Sequence, residues 1–142
     1  GYRKMGIHHS RRLEWLAPGR WEVTDRVTLD GVHRRHVLRL QWLIPDGPAA
    51  LERESLTLTG EHEILTIRIL PEPIDHIVLL ERRLVHDGQG VIGQGEVSPL
   101  EGRISSSYLQ LMPAFSYQVF ITFEKPVVIK TIITLSTCTR AK

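Results

Sequence analysis

The stretch that decides the fold is Phe115–Thr137, FSYQVFITFEKPVVIKTIITLST. In its first half Phe115, Tyr117, Val119, Ile121 and Phe123 alternate without a break with Ser116, Gln118, Phe120, Thr122 and Glu124. A period of two sends successive side chains to opposite faces of a strand, so this half reads as a strand with one face in a core and the other toward water. Lys125-Pro126 makes the turn, and VVIKTIITLST follows as a closing strand whose β-branched residues suit a pleated surface.

The same design recurs upstream. In HHSRRLEWLAPGRWEVTDRV, His8–Val27, Leu13 and Trp15 share one face and Arg12 and Glu14 the other, before the turn signal Ala17-Pro18-Gly19. Trp21 and Val23 then point inward, and Val27 joins them through an expected irregularity, until Asp30-Gly31 ends the hairpin. HRRHVLRLQWLI places Leu38, Leu40 and Trp42 together and stops at Pro45-Asp46-Gly47; SLTLT and HEILTIRIL flank a Gly60-Glu61 hairpin. Pro71 and Pro73 interrupt the chain before HIVLLERRLV and the glycine-rich DGQGVIGQG, which has no helix after it and reads as a turn or bulge, not a phosphate-binding loop. About nine to eleven short strands with turn signals every 8–12 residues predict an all-β, antiparallel β-sandwich with little or no helix. No linker or internal repeat is visible, and residues 1–142 read as a single domain.

With 42% hydrophobic and 24% charged residues, the composition is that of a folded globular domain; no apolar run is long enough to span a bilayer. The lone Cys138 can form no internal disulfide and reads as packing. The net charge of +2 conceals an asymmetry. Residues 1–40 hold nine Lys or Arg against four Asp or Glu, +5, whereas residues 41–142 hold nine against twelve, −3. Such a basic segment can face an anionic partner, with a solvated charged surface as the plainer explanation; no nucleic-acid-binding motif accompanies the arginines.

Chemistry-bearing constellations are absent from the pattern. His8 and His9 diverge in an extended segment, as do His33 and His36, and the other three histidines stand singly, so no metal or cofactor is expected. Ser105-Ser106-Ser107 lies in no nucleophile elbow, and the pairs Glu52/Glu54 and Glu61/Glu63 read as exposed, solubilising acids. Asp25-Arg26 reads as a structural ion pair at a strand end.

Two motifs together resemble the carboxy-terminal β domain of the heparinase II/III-like polysaccharide lyases. The first comprises Gly1-Tyr2, His9-Ser10-Arg11-Arg12 and Trp21-Glu22-Val23-Thr24-Asp25-Arg26. The second is EGRISSSYLQLMPA, in which Gly102, Ser105, Tyr108, Pro113 and Ala114 match, while Arg103, Ser106 and Leu109 replace the family's tryptophan, proline and glycine. Between them His36, Leu43 and Pro45 follow the family's histidine strand and its proline turn. The resemblance implies a bacterial, periplasmic or secreted parent enzyme that cleaves uronate-containing acidic polysaccharide by β-elimination. Its catalytic Asn, His and Tyr would belong to an upstream helical toroid, so no catalytic residue carries over to positions present here.

These readings lead to one expectation: a carboxy-terminal β-sandwich that acts as scaffold and as one wall of the glycan cleft. Arg11, Arg12, Arg34, Arg35 and Tyr108 are its candidate substrate contacts, since guanidinium binds carboxylate and sulfate in bidentate fashion. The alternative is a stand-alone carbohydrate-binding or interaction module, for which exposed aromatic platforms would speak; Trp15, Trp21 and Trp42 all fall in the core phase. An enzyme with its own site of scattered histidines ranks third.

Overall fold

The computed structural model describes residues 6–31, 34–86, 89–92, 103–107 and 110–138. Among them are eleven strands and a single 3-10 turn, Ile74–His76. The strands are β1 (Ile7–Ala17), β2 (Arg20–Leu29), β3 (His36–Pro45), β4 (Ala49–Leu51), β5 (Ser55–Thr59), β6 (Glu63–Glu72), β7 (Ile77–His86), β8 (Gln89–Ile92), β9 (Arg103–Ser107), β10 (Gln110–Phe123) and β11 (Val127–Thr137). They form two antiparallel sheets, the all-β class that the alternation predicts.

The chain divides into two compact units. The first comprises Gly1–His36, Gly47–Val78 and Phe123–Lys142, and holds the six-stranded sheet, in the order β1-β2-β11-β6-β5-β4. The closing strand β11 enters between β2 and β6, pairing Thr131 with Val23 on one side and with Ile69 on the other. One face of this sheet collects Val23, Val27, Leu56, Leu58, Ile67, Ile69, Val127 and Ile129, all buried. Each such aliphatic side chain contributes roughly 1.5–3 kcal/mol on leaving water. Pro71 sits inside β6 and is buried, where the sequence suggested an interruption. β6 meets β11 there on one side, and the register with β5 stops at Arg68, so the missing proline N–H breaks no rung on the β5 side.

The β1–β2 hairpin is continuous from Ile7↔Leu29 to Trp15↔Trp21. It turns at Pro18-Gly19, with Gly19 at φ +70°, a conformation that costs glycine little and other residues much. No irregularity carries Val27 inward: positions 21, 23, 25 and 27 share one face, and the residue between the valines, Asp25, is itself buried.

The second unit comprises Val37–Asp46 and Leu79–Thr122 and holds most of the other sheet, in the order β3-β10-β7-β8, with β9 also paired to β10. β8 supplies a short strand from the glycine-rich segment, with a register irregularity opposite Leu84 and Val85. The sequence leads one to expect β10 to have one wet face; both are covered. Phe115, Tyr117, Val119 and Ile121 are buried on one, and Ala114, Ser116, Gln118 and Thr122 on the other. On the polar face Ser116 is satisfied locally, the Gln41 and Gln118 amides each donating to its Oγ at 3.0 Å, and the Arg83 guanidinium lies 4.5 Å over the Phe120 ring.

Candidate functional site

The basic opening segment supplies β1, and its alternation divides the charges between two faces. His9, Arg11, Leu13 and Trp15 lie on the face that β2 continues with Trp21, Val23, Asp25 and Val27; His8, Arg12 and Glu14 lie on the other. On the first face Asp25, fully buried, is the centre of a charged node. Arg11 donates from Nε to Oδ1 at 2.7 Å and from a terminal nitrogen to Oδ2 at 3.0 Å, and His9 Nε2 donates to Oδ1 at 2.6 Å. A buried carboxylate needs such partners, because unpaired charge away from water is expensive. The partner of Asp25 is therefore Arg11 from the opposite strand; Arg26, its neighbour in sequence, points away and is exposed. The node resembles a histidine–aspartate dyad, but Arg11 already matches the Asp25 charge in bidentate fashion, an arrangement suited to locking the hairpin.

The candidate arginines are not gathered into one cluster. Arg11 is turned onto Asp25, Arg12 pairs with Glu14 at 2.8 Å across the strand's other face, and Arg35 donates to Glu124 at 3.2 Å. Arg34 is exposed just before β3, and Tyr108 lies outside the described residues. The histidines are dispersed. His8 meets Asp30, His36 stacks 5.8 Å from Phe123, His76 donates to the Pro126 carbonyl at 2.8 Å, and His86 lies 2.9 Å from Asp46 and 4.8 Å from the Phe115 ring. His33 lies outside the described residues. Among the described residues no three His, Cys, Asp or Glu side chains converge as metal ligands would, and no helix is long and apolar enough to cross a membrane.

What the residue pattern missed is an apolar strip on β1. Leu13 is 67% exposed, Trp15 69% and Leu16 49%, although Leu13 and Trp15 occupy the core phase. Trp21 and Trp42 are half-buried, so the expectation that the three tryptophans fill the core fails at Trp15. The reason is position: β1 is the outermost of the described strands of its sheet, and a side chain in core phase on an edge has a neighbouring strand on one side only. In the second unit Tyr117 is fully buried beside Arg82. Burial pushes its phenol above the ordinary 10.0, with the Arg82 charge and hydrogen bonding pulling the other way.

No protein-family model matches the chain, and no curated protein does. Among solved structures it is similar to heparinase III, the BT4657 gene product, in two forms. The form with methylated lysines gives a TM-score of 0.65 at 14% identity, covering 94% of this chain and 18% of that one. The other gives 0.64 at 14% identity, covering 93% of this chain and 18% of that one. The chain thus spans less than a fifth of the heparinase III chains it matches, and the resemblance read from its motifs holds as a likeness of fold.

Proposed function

We propose that this chain is the carboxy-terminal β domain of a heparinase III-like polysaccharide lyase, serving as scaffold and as one wall of a cleft for uronate-containing glycan. The observation that carries the reading is the fold match over 94% of the chain to a segment of heparinase III. Proton abstraction beside the uronate carboxyl, stabilisation of the resulting enolate-like charge and protonation of the leaving oxygen would fall to an upstream helical toroid. The parent would be bacterial and periplasmic or secreted, where its polymer substrate is found. Arg11, Arg12, Arg34 and Arg35, with Tyr108, are the proposed anion contacts. Arg11 also holds Asp25, Arg12 pairs with Glu14 and Arg35 with Glu124, so Arg34→Glu is the informative change. Incubated with uronate glycans, the chain alone should generate no unsaturated-uronate absorbance, and robust activity would overturn the scaffold role. An encoding frame that holds this β domain with no helical segment upstream would overturn the lyase assignment. The exposed Trp15, with Trp21 opposite it across the hairpin, is the one observation favouring a stand-alone carbohydrate-binding module, yet Leu13, beside it on the same face, offers a sugar no hydrogen bonds.

A further inference from the structure

The two edges of the six-stranded sheet are built differently. β4 is three residues long and follows Pro48, the usual way of blunting an edge. β1 is eleven residues long, carries no proline and keeps an unbroken register with β2 from Ile7 to Trp15. Among the described strands nothing pairs with its outer side, and the exposed Leu13, Trp15 and Leu16 lie along it. A long edge with exposed apolar side chains is a surface on which another strand can be added.

The edge is complementary to itself. Antiparallel pairing of two identical strands sets residues of like parity opposite one another, because only they turn their N–H and C=O groups the same way. Centred on Leu13, such a pairing sets Leu13 against Leu13, Arg12 against Glu14 and Arg11 against Trp15, each unlike pair occurring twice by symmetry. One face then carries two Arg–Glu pairs, and the other carries two guanidinium–indole contacts flanking the leucines. A shift of two positions either way sets Arg12 against Arg12 or Glu14 against Glu14. We propose that β1 pairs antiparallel with β1 of a second copy about Leu13, joining two six-stranded sheets edge to edge. Arg12 and Glu14, already 2.8 Å apart within one strand, become part of a ring of four alternating charges, and Arg11 keeps Asp25 while offering its face to Trp15 of the second copy. This interface is independent of the lyase reading.

Sedimentation velocity on the chain over a range of concentrations tests it. A monomer–dimer equilibrium is expected. Arg12→Glu and Glu14→Arg should each weaken it by about tenfold or more, since each creates two like-charge contacts per dimer, and the double exchange should restore it. In a Cys138→Ser background, Leu13→Cys should form an intermolecular disulfide under mild oxidation. Trp15→Ser, at an exposed position, should weaken association with the circular dichroism spectrum unchanged. A chain monomeric at every concentration overturns the proposal, as does a dimer indifferent to both charge reversals. So does a monomer whose Trp15 is shielded only when a uronate oligosaccharide is added.

Discussion

Gly19 and Leu135 lock the β1–β2 turn onto the end of β11: the Leu135 N–H donates to the Gly19 carbonyl at 2.7 Å, and the Leu135 carbonyl oxygen occupies the place a Gly19 Cβ would take. Gly19→Ala therefore meets both a positive φ of 70° and backbone that has no flexible end to move aside. The variant should lose about 1–3 kcal/mol, read as a lower urea midpoint. Gly31→Ala, at φ 84° but with open space around its Cβ, should lose less. Equal losses would assign the effect to φ alone.

Removal of the Asp25 carboxylate should be the costliest change in the opening hairpin. Asp25→Ala strips His9 and Arg11 of their shared acceptor and should cost about 3 kcal/mol in urea denaturation, at the low end for breaking a buried pair because both donors are part exposed. Arg11→Lys gives up the two-point grip and should lose about 1 kcal/mol. Arg26→Ala, across the strand, should lose almost nothing.

Tyr117 should make the fold sensitive to strong alkali. Its folded phenol ionises above 10.0, the value of the unfolded chain, so between the two the native state holds a proton that the unfolded state has released. Its contribution is fully present below pH 10 and is lost as pH rises from 10 through the folded value. Urea midpoints measured from neutral pH to above pH 10 should fall at the alkaline end, and Tyr117→Phe should flatten that part of the curve. At neutral pH the same variant should cost little, since the buried hydroxyl has no well-aligned acceptor.

Trp15 should dominate the accessible fluorescence. In dilute solution a polar quencher should reach it readily, and Trp15→Phe should leave the less accessible emission of the half-buried Trp21 and Trp42. If β1 pairs with a second copy, raising the protein concentration should shield the Trp15 component.

Where the sequence could be read and where it could not follows from what period two encodes. It reports which residues share a face, and so β10, β11, the Gly60 hairpin and the Pro18-Gly19 turn were legible. It does not report which strands are neighbours. That β11 enters between β2 and β6 is a long-range fact, and with it goes the knowledge that β1 is an edge where a core-phase tryptophan stays exposed. Asp25 was legible in principle: it shares parity with Val23 and Val27, and a carboxylate on an apolar face calls for a cation from across the hairpin, which Arg11 supplies. Neither the burial of both β10 faces nor the dispersal of the four arginines could be read from spacing.

The double coverage of β10 has one more consequence. A strand apolar on both sides could slide along its neighbours with small loss, but Ser116 and Gln118 act as a parity check. A slip of one residue would thrust both into the layer of Phe115 and Tyr117, and a slip of two would part Ser116 from Gln41, 3.0 Å away. Ser116 and Gln118, with Gln41 of β3, thereby proofread the alignment of the longest of the described strands, so replacing these three by valine should yield a chain that still collapses but settles into more than one pairing.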